Sequence, residues 1–330
     1  TLQNLQGPNP YLVLNLSSSL QTLTGTLSVF AANSSMIASN GDLSLGALTI
    51  RNDLSNPVNI VLDGAANGTV NGNITAGSKT ASIIKNGTGT WEIKGVVPTL
   101  GLNNTVNAGT LILSGANTTS NTNRIVGGTL VLNNAGALQS GTLDMNAADA
   151  GALQFSSTIT ATTLGGLMGS RNITLTNNAG NPVTLSVGNN NRSTTYSGVL
   201  SDNNAGGALT KVGTGALTLG ADVTFTGAVN VNNGYLAFNG LTGLATASGI
   251  TVNGGQLQCK TTGTYADVPL TLTGAAPNSQ GALYFNLDGG NFVWPGVITL
   301  NGGASIGAYS AGSTVNLSSG IAGTGDLTLW

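Results

Sequence analysis

The sequence predicts an all-β chain built as a parallel β-solenoid, and three observations carry that prediction. A long unit repeats with a spacing close to 125 residues, short alternating strands recur inside it, and the composition disfavours helix. The repeat is clearest in Leu48-Thr49-Ile50 through Pro57-Val58-Asn59-Ile60. It returns as Ile173-Thr174-Leu175 through Pro182-Val183-Thr184-Leu185, and Ile298-Thr299-Leu300 opens it again. Self-similarity of this kind is the signature of stacked repeat architectures. The boundaries read as a partial unit over 1–47, full units over 48–172 and 173–297, and a truncated unit over 298–330, all in one continuous solenoid.

Within each unit a Gly-x-Leu-x-hydrophobic strand recurs at Gly109, Gly128 and Gly151, then at Gly234, Gly255 and Gly281. The steps are 19, 23, 21 and 26 residues. Each strand alternates: Leu111 with Leu113, Leu130 with Leu132, Leu217 with Leu219, Leu236 with Phe238. Period-two alternation means one buried face and one solvated face. Leu153, Leu257 and Leu283 hold the matching core position in their coils. Cys259, two residues after Leu257, points the same way and reads as a small buried apolar residue; the other reading is an intermolecular disulfide. Coils of about 22 residues would give roughly 15 rungs and a rod of about 70 Å, at ~4.8 Å per strand. Two β-sandwiches are the competing architecture.

Composition supports β-structure and bounds function. Fifty glycines, with abundant Asn, Thr and Ser, make poor helices, while Thr, Val and Ile suit a pleated surface. Hydrophobic residues at 40% and a net charge of −2 exclude the disordered class. Nine scattered Lys and Arg cannot track phosphates, so nucleic acid is not an expected partner. Apolar runs are too short for a membrane-spanning helix. Without an initiator Met or signal peptide the chain reads as a mature or trimmed product. A surface of Asn, Thr and Ser with few charges repels copies weakly and favours assembly.

The stretch from Gly207 to Gly240 reads GALTKVGTGALTLGADVTFTGAVNVNNGYLAFNG. It resembles the autotransporter-associated β-strand repeat of bacterial surface proteins. Lys211, Gly213, Gly215, Leu217, Leu219, Thr226, Gly227, Asn232, Gly234 and Leu236 fit the family pattern. Ser82 to Gly115 is similar, with Trp91 and Ile93 replacing the Leu pair and the Thr-Gly segment lost. Ser197 to Asp202 looks like the family's lead-in strand. The resemblance implies a right-handed parallel β-helix, export across an outer membrane and an extracellular or cell-surface location. It implies no activity, and no translocator barrel is recognisable in the sequence.

Chemistry is sparse. With no His and one Cys, common triads and thiolate or imidazole metal sites are excluded, and no cofactor is expected. Carboxylates remain, since paired acids can cleave polysaccharides. None of the eleven is adjacent to another, and most sit in Gly- or Asn-rich turns, where they are expected to close the turn. Gly323-x-Gly325-Asp326 has its Asp misplaced for a calcium solenoid, and the Gly-Thr-Gly runs lack a following Lys-Ser/Thr. Lys85 and Lys211 share one repeat position and are expected to point outward into solvent, with a register-setting contact as the alternative. Asn107, Asn232 and Asn253 are either rungs of an amide ladder or single turn residues.

Both ends present alternating strands. Tyr11, Leu12, Leu14 and Leu16 lie near the start; Leu327, Leu329 and Trp330 close the sequence. Unpaired edges invite strand pairing. The leading functional expectation is therefore a non-enzymatic fibre or sheath subunit stacking head to tail with copies of itself. An adhesin or autotransporter passenger stalk is the alternative, and a polysaccharide-active β-helix enzyme the third. Surface glycans are the partner class besides the chain itself.

Overall fold

A computed structural model describes the chain except for residues 1, 5–11, 30–32, 51–57, 77–79, 98–102, 275 and 279. Tyr11 and the Asn56-Pro57 landmark lie outside the described residues. What is described is strand and turn, with no helix, and the strands form parallel sheets of a β-solenoid with about 13 turns. Two compact units divide the chain, Thr1–Thr163 and Leu164–Trp330.

The first unit stacks its strands in columns. One column runs Leu12–Asn15, Asn33–Ala38, Val58–Asp63, Ala81–Lys85, Asn104–Val106, Thr122–Ile125, Leu138–Met145, each parallel to the next. A second runs Gln21–Leu23, Leu43–Leu45, Gly68–Val70, Thr90–Ile93, Thr110–Leu113, Thr129–Leu132, Ala152–Phe155. A shorter third holds Leu27–Val29, Leu48–Ile50 and Ile74–Thr75. The register aligns like with like: Trp91, Leu111, Leu130 and Leu153 pair in sequence, as do Ile93, Leu113, Leu132 and Phe155. All are buried except Leu153, which is half-buried. One pairing breaks the parallel rule: Leu2–Asn4 runs antiparallel along Leu12–Asn15.

The second unit repeats the plan. One column runs from Thr184–Val187 through Ala208–Lys211, Val229–Val231, Ile250–Asn253 and Leu270–Gly274 to Ile298–Ala308 and Ile321–Gly323. Its neighbour runs from Thr194–Tyr196 through Ala216–Leu219, Tyr235–Phe238 and Gln256–Cys259 to Leu283–Phe285. The 11-residue strand Ile298–Ala308 serves both columns, pairing with Leu270–Gly274 through its first half and with Leu283–Phe285 through its last. Leu217, Leu236, Leu257 and Leu283 form one inward row; Leu219, Phe238, Cys259 and Phe285 form the next. Every one of these is buried. Tyr265 adds an aromatic layer, its ring 5.6 Å from Phe238 and 5.8 Å from Trp294.

Because each inward side chain touches its equivalents above and below, truncation leaves a cavity the rigid stack cannot close. Leu236→Ala is expected to cost about 2–5 kcal/mol. The outward neighbour Thr218→Ala should stay within about 0.5 kcal/mol. Guanidinium unfolding midpoints of the two variants test this difference.

Candidate functional site

The buried ions of the solenoid sit at coil corners. Lys211 ends the strand Ala208–Lys211, two residues after the buried Leu209, so the alternation that buries Leu209 also turns Lys211 inward. This corrects the expectation of an outward, solvated lysine: Lys85 and Lys211 are both fully buried. A buried ammonium must be hydrogen-bonded to be tolerated. Lys211 Nζ donates to the carbonyl oxygens of Val212 at 2.6 Å and Gly213 at 2.8 Å in its own turn. It reaches Asn233 O, one coil on, at 3.4 Å. Lys85 repeats the arrangement, donating to Gly87 O and, at 3.2 Å, to Ala108 O of the next coil. Burial pushes the Lys211 ammonium down to about 8. Burial lowers Lys85 as well, partly opposed by the charge of Asp63.

The glycines of these corners make the cradle. Gly109 and Gly234 occupy the same repeat position and both adopt the left-handed region, with φ of 59° and 57°. A Cβ at Gly109 would fall 2.7 Å from Lys85 Nζ, so the side-chain-free residue is what leaves the ammonium its space.

Asp202 is the anionic counterpart, fully buried at the start of the turn that leads into Ala208–Lys211. Its Oδ1 accepts from Asn204 N at 2.9 Å. Its Oδ2 accepts from Gly206 N at 2.8 Å and Gly207 N at 2.9 Å. From the next coil Thr226 gives both its backbone N–H, at 2.9 Å, and its hydroxyl, at 2.7 Å. Burial alone would raise this carboxyl, but the donors of Thr226, Gly206 and Asn204 outweigh it and hold the group below the usual carboxylate range. Sequence reasoning placed Asp202 at the end of a lead-in strand and missed its reach to Thr226. The signal was there: where the first unit loses the Thr-Gly segment it also lacks any acid between Asp63 and Glu92.

The other carboxylates are distributed along the coils. Asp42 accepts from Asn67 N at 2.9 Å and Asp63 from Gly64 N at 2.7 Å. Asp222 accepts from the Thr242 hydroxyl. Glu92 accepts from Ser114 at 2.7 Å, and Asp149 holds Arg124 through two bonds of 2.7 and 2.9 Å. Asp53 lies outside the described residues. Among the described residues no group of three His, Cys, Asp or Glu converges. No helix there is long and apolar enough to cross a membrane.

Asn107 forms a ladder rung, its amide donating to Asn86 Oδ1 at 2.8 Å, whereas Asn232 stands exposed in its turn and Asn253 exposed at the end of the strand Ile250–Asn253. Cys259 is buried and unbridged. At the start of the first unit Leu12 lies in a strand, Leu14 is half-buried and Leu16 is 50% exposed. At the end of the second unit Leu327 is half-buried, while Leu329 and Trp330 are 70% and 64% exposed. Tyr309 and Ile321 stand exposed beside them, around an open apolar cavity.

This is the geometry of a parallel β-solenoid of stacked repeats, with ions used at its corners. Two segments match the passenger-associated-transport-repeat family, residues 106–132 and 209–238. The second coincides with the stretch whose resemblance is legible in the sequence. The first begins one coil later than the Ser82–Gly115 stretch and leaves Lys85 outside. The second match contains two successive coils, in which Leu217 and Leu219 lie directly against Leu236 and Phe238. In the first match Leu111 and Leu113 lie likewise against Leu130 and Leu132. No curated protein and no solved structure matches the chain.

The lowered Asp202 carboxyl sets a pH window. Its folded-state pKa lies below the unfolded value of about 3.9, so its contribution is complete above that pH and is lost as pH falls through the folded value. Asp202→Asn should lower stability by about 1–3 kcal/mol at neutral pH. It should also flatten the decline of the unfolding midpoint as pH falls below about 4 relative to the parent chain. A urea titration at several pH values reads both effects. The buried lysines predict selective chemistry: an acylating reagent should modify Lys94, whose side chain is 49% exposed, well before Lys85 or Lys211. Peptide mapping of briefly treated, folded protein gives the order.

Proposed function

We propose that the chain is a non-enzymatic structural segment of a secreted or surface-displayed protein, a solenoid stalk in an autotransporter-type passenger. The observation that carries this reading is the double match to the passenger-associated-transport-repeat, each match falling on two stacked coils. The employment of the described acids supports it: Asp42, Asp63 and Asp202 bind turn N–H groups, and Asp149 is held by Arg124. In an adhesive role, the surface offered to a glycan is an outward row of polar side chains, Ser186, Thr210, Asn230, Thr251 and Thr271, aligned coil upon coil.

A second reading, head-to-tail assembly into a fibre or sheath, rests on the exposed apolar edge formed by Ile321, Leu329 and Trp330. A parallel strand from another copy would extend the inward row that runs through Leu283, Ile306 and Leu329. The antiparallel strand Leu2–Asn4 weighs against it, because it occupies the edge of Leu12–Asn15 that such a partner would need.

Two measurements test these readings. Antibodies against the purified chain should label intact cells of the source organism; label that appears only after permeabilisation would overturn the surface assignment. In sedimentation velocity over a dilution series the stalk stays monomeric. Concentration-dependent growth that Leu329→Asp abolishes would instead establish the assembling subunit.

A further inference from the structure

The buried lysines break an ambiguity that repetition creates. In the second unit the inward position of Lys211 pairs with Val187 on one side and Val231 on the other, and the row continues through Val252, Leu272 and Leu300. In the first unit Lys85 pairs with Leu62 and Val106, with Met36 and Ile125 beyond. Each row is otherwise aliphatic. A strand that stacked on the wrong coil would therefore keep its apolar contacts, since one Val or Leu replaces another at almost no change in shape. Hydrophobic pattern fixes which face points inward, but in a self-similar chain it does not fix which coil lies next.

The ammonium does distinguish the coils. It draws on carbonyl oxygens from its own turn and from the following turn, and on a neighbouring corner glycine that leaves it space. Lys211 finds these in Val212, Gly213 and Asn233, with Gly188 of the preceding coil, where a Cβ would fall 3.0 Å from Nζ; Lys85 finds them in Gly87 and Ala108, with Gly109. A mis-stacked coil would keep the bonds within the lysine's own turn but lose the carbonyl of the next coil, leaving a buried ammonium short of an acceptor, a penalty that an apolar residue never incurs. Buried polar residues that select one pairing register in an otherwise degenerate apolar interface are known from coiled coils.

We propose that Lys85 and Lys211 are register determinants: each selects the one coil-on-coil arrangement that satisfies its ammonium, and so directs how the repeats stack during folding. Their role is selection between stacked states, and the native stack does not depend on them for its stability. This goes beyond the stalk reading and stands on the coil geometry alone, whatever the segment carries or binds.

The test uses the full chain with Lys211→Met, which keeps the length and apolarity of the stem, and Lys94→Met as an exposed control. Each is unfolded in guanidinium, refolded by dilution and followed by hydrogen–deuterium exchange with mass spectrometry. Lys211→Met should unfold at the same denaturant concentration as the parent chain or a higher one. Its peptides spanning 205–238 should show two exchange populations after refolding, where the parent and Lys94→Met show one. Lys85→Met should do the same for peptides spanning 81–113. Three outcomes overturn the proposal. One is a single, fully protected population in both variants; another is a lowered midpoint with one population, the mark of an ordinary packing contribution; the third is failure to fold, since the proposal gives the lysines no part in native stability.

Discussion

In-register stacking of each coil on the next is the constraint from which the rest of this structure follows. Parallel strands lie about 4.8 Å apart, so whatever one coil places at a corner must coexist with the same corner one coil away. Inward positions become rows in which each side chain packs against its equivalent one coil away: Leu on Leu in Leu217, Leu236, Leu257 and Leu283, and Leu, Phe, Cys and Phe in the row beside it. Corners become narrow, which is why Gly109 and Gly234 hold left-handed backbone where a side chain would strike the neighbouring turn. Polar groups at the corners find their partners one coil away, as Asp202 finds Thr226 and Lys211 finds Asn233.

How much of this was legible depended on whether the signal was periodic. The strands at Leu111, Leu130, Leu217 and Leu236 announced themselves through alternation and the preceding glycine, because a buried row demands the same residue class at every coil. The parallel solenoid followed from that. Lys211 was legible too, since it stands two residues after Leu209: the expectation of an outward lysine took the strand's alternation in the wrong phase. Charge argues for solvent only when no buried acceptors exist, and the carbonyls that receive this ammonium converge only once the coil has closed. The antiparallel strand Leu2–Asn4 left no periodic trace, because it joins an edge instead of a row. The weaker match in the first unit shows the same limit from the other side. Where Trp91 replaces a leucine, its indole N–H takes a new partner, Asp63 O at 3.0 Å, and the motif fades while the row persists.

The use of charge in this chain follows from the same constraint. Only 6% of residues are charged, yet Lys85, Lys211 and Asp202 are wholly buried. Hydrogen bonds satisfy each of them, the cations through backbone carbonyls and the anion through backbone amides and one hydroxyl, with Asp63 acting on Lys85 only as a neighbouring charge. Ion pairing would couple two side chains, whereas backbone solvation couples a side chain to the path of the main chain itself. In an ordinary core that distinction matters little, because the apolar jigsaw already defines a unique packing. A repetitive core has no such uniqueness, since its pieces are interchangeable. A charge that reads main-chain geometry is then the cheapest feature able to tell one coil from the next, and its rarity is a requirement: a lysine in every coil would restore the degeneracy that a single one removes.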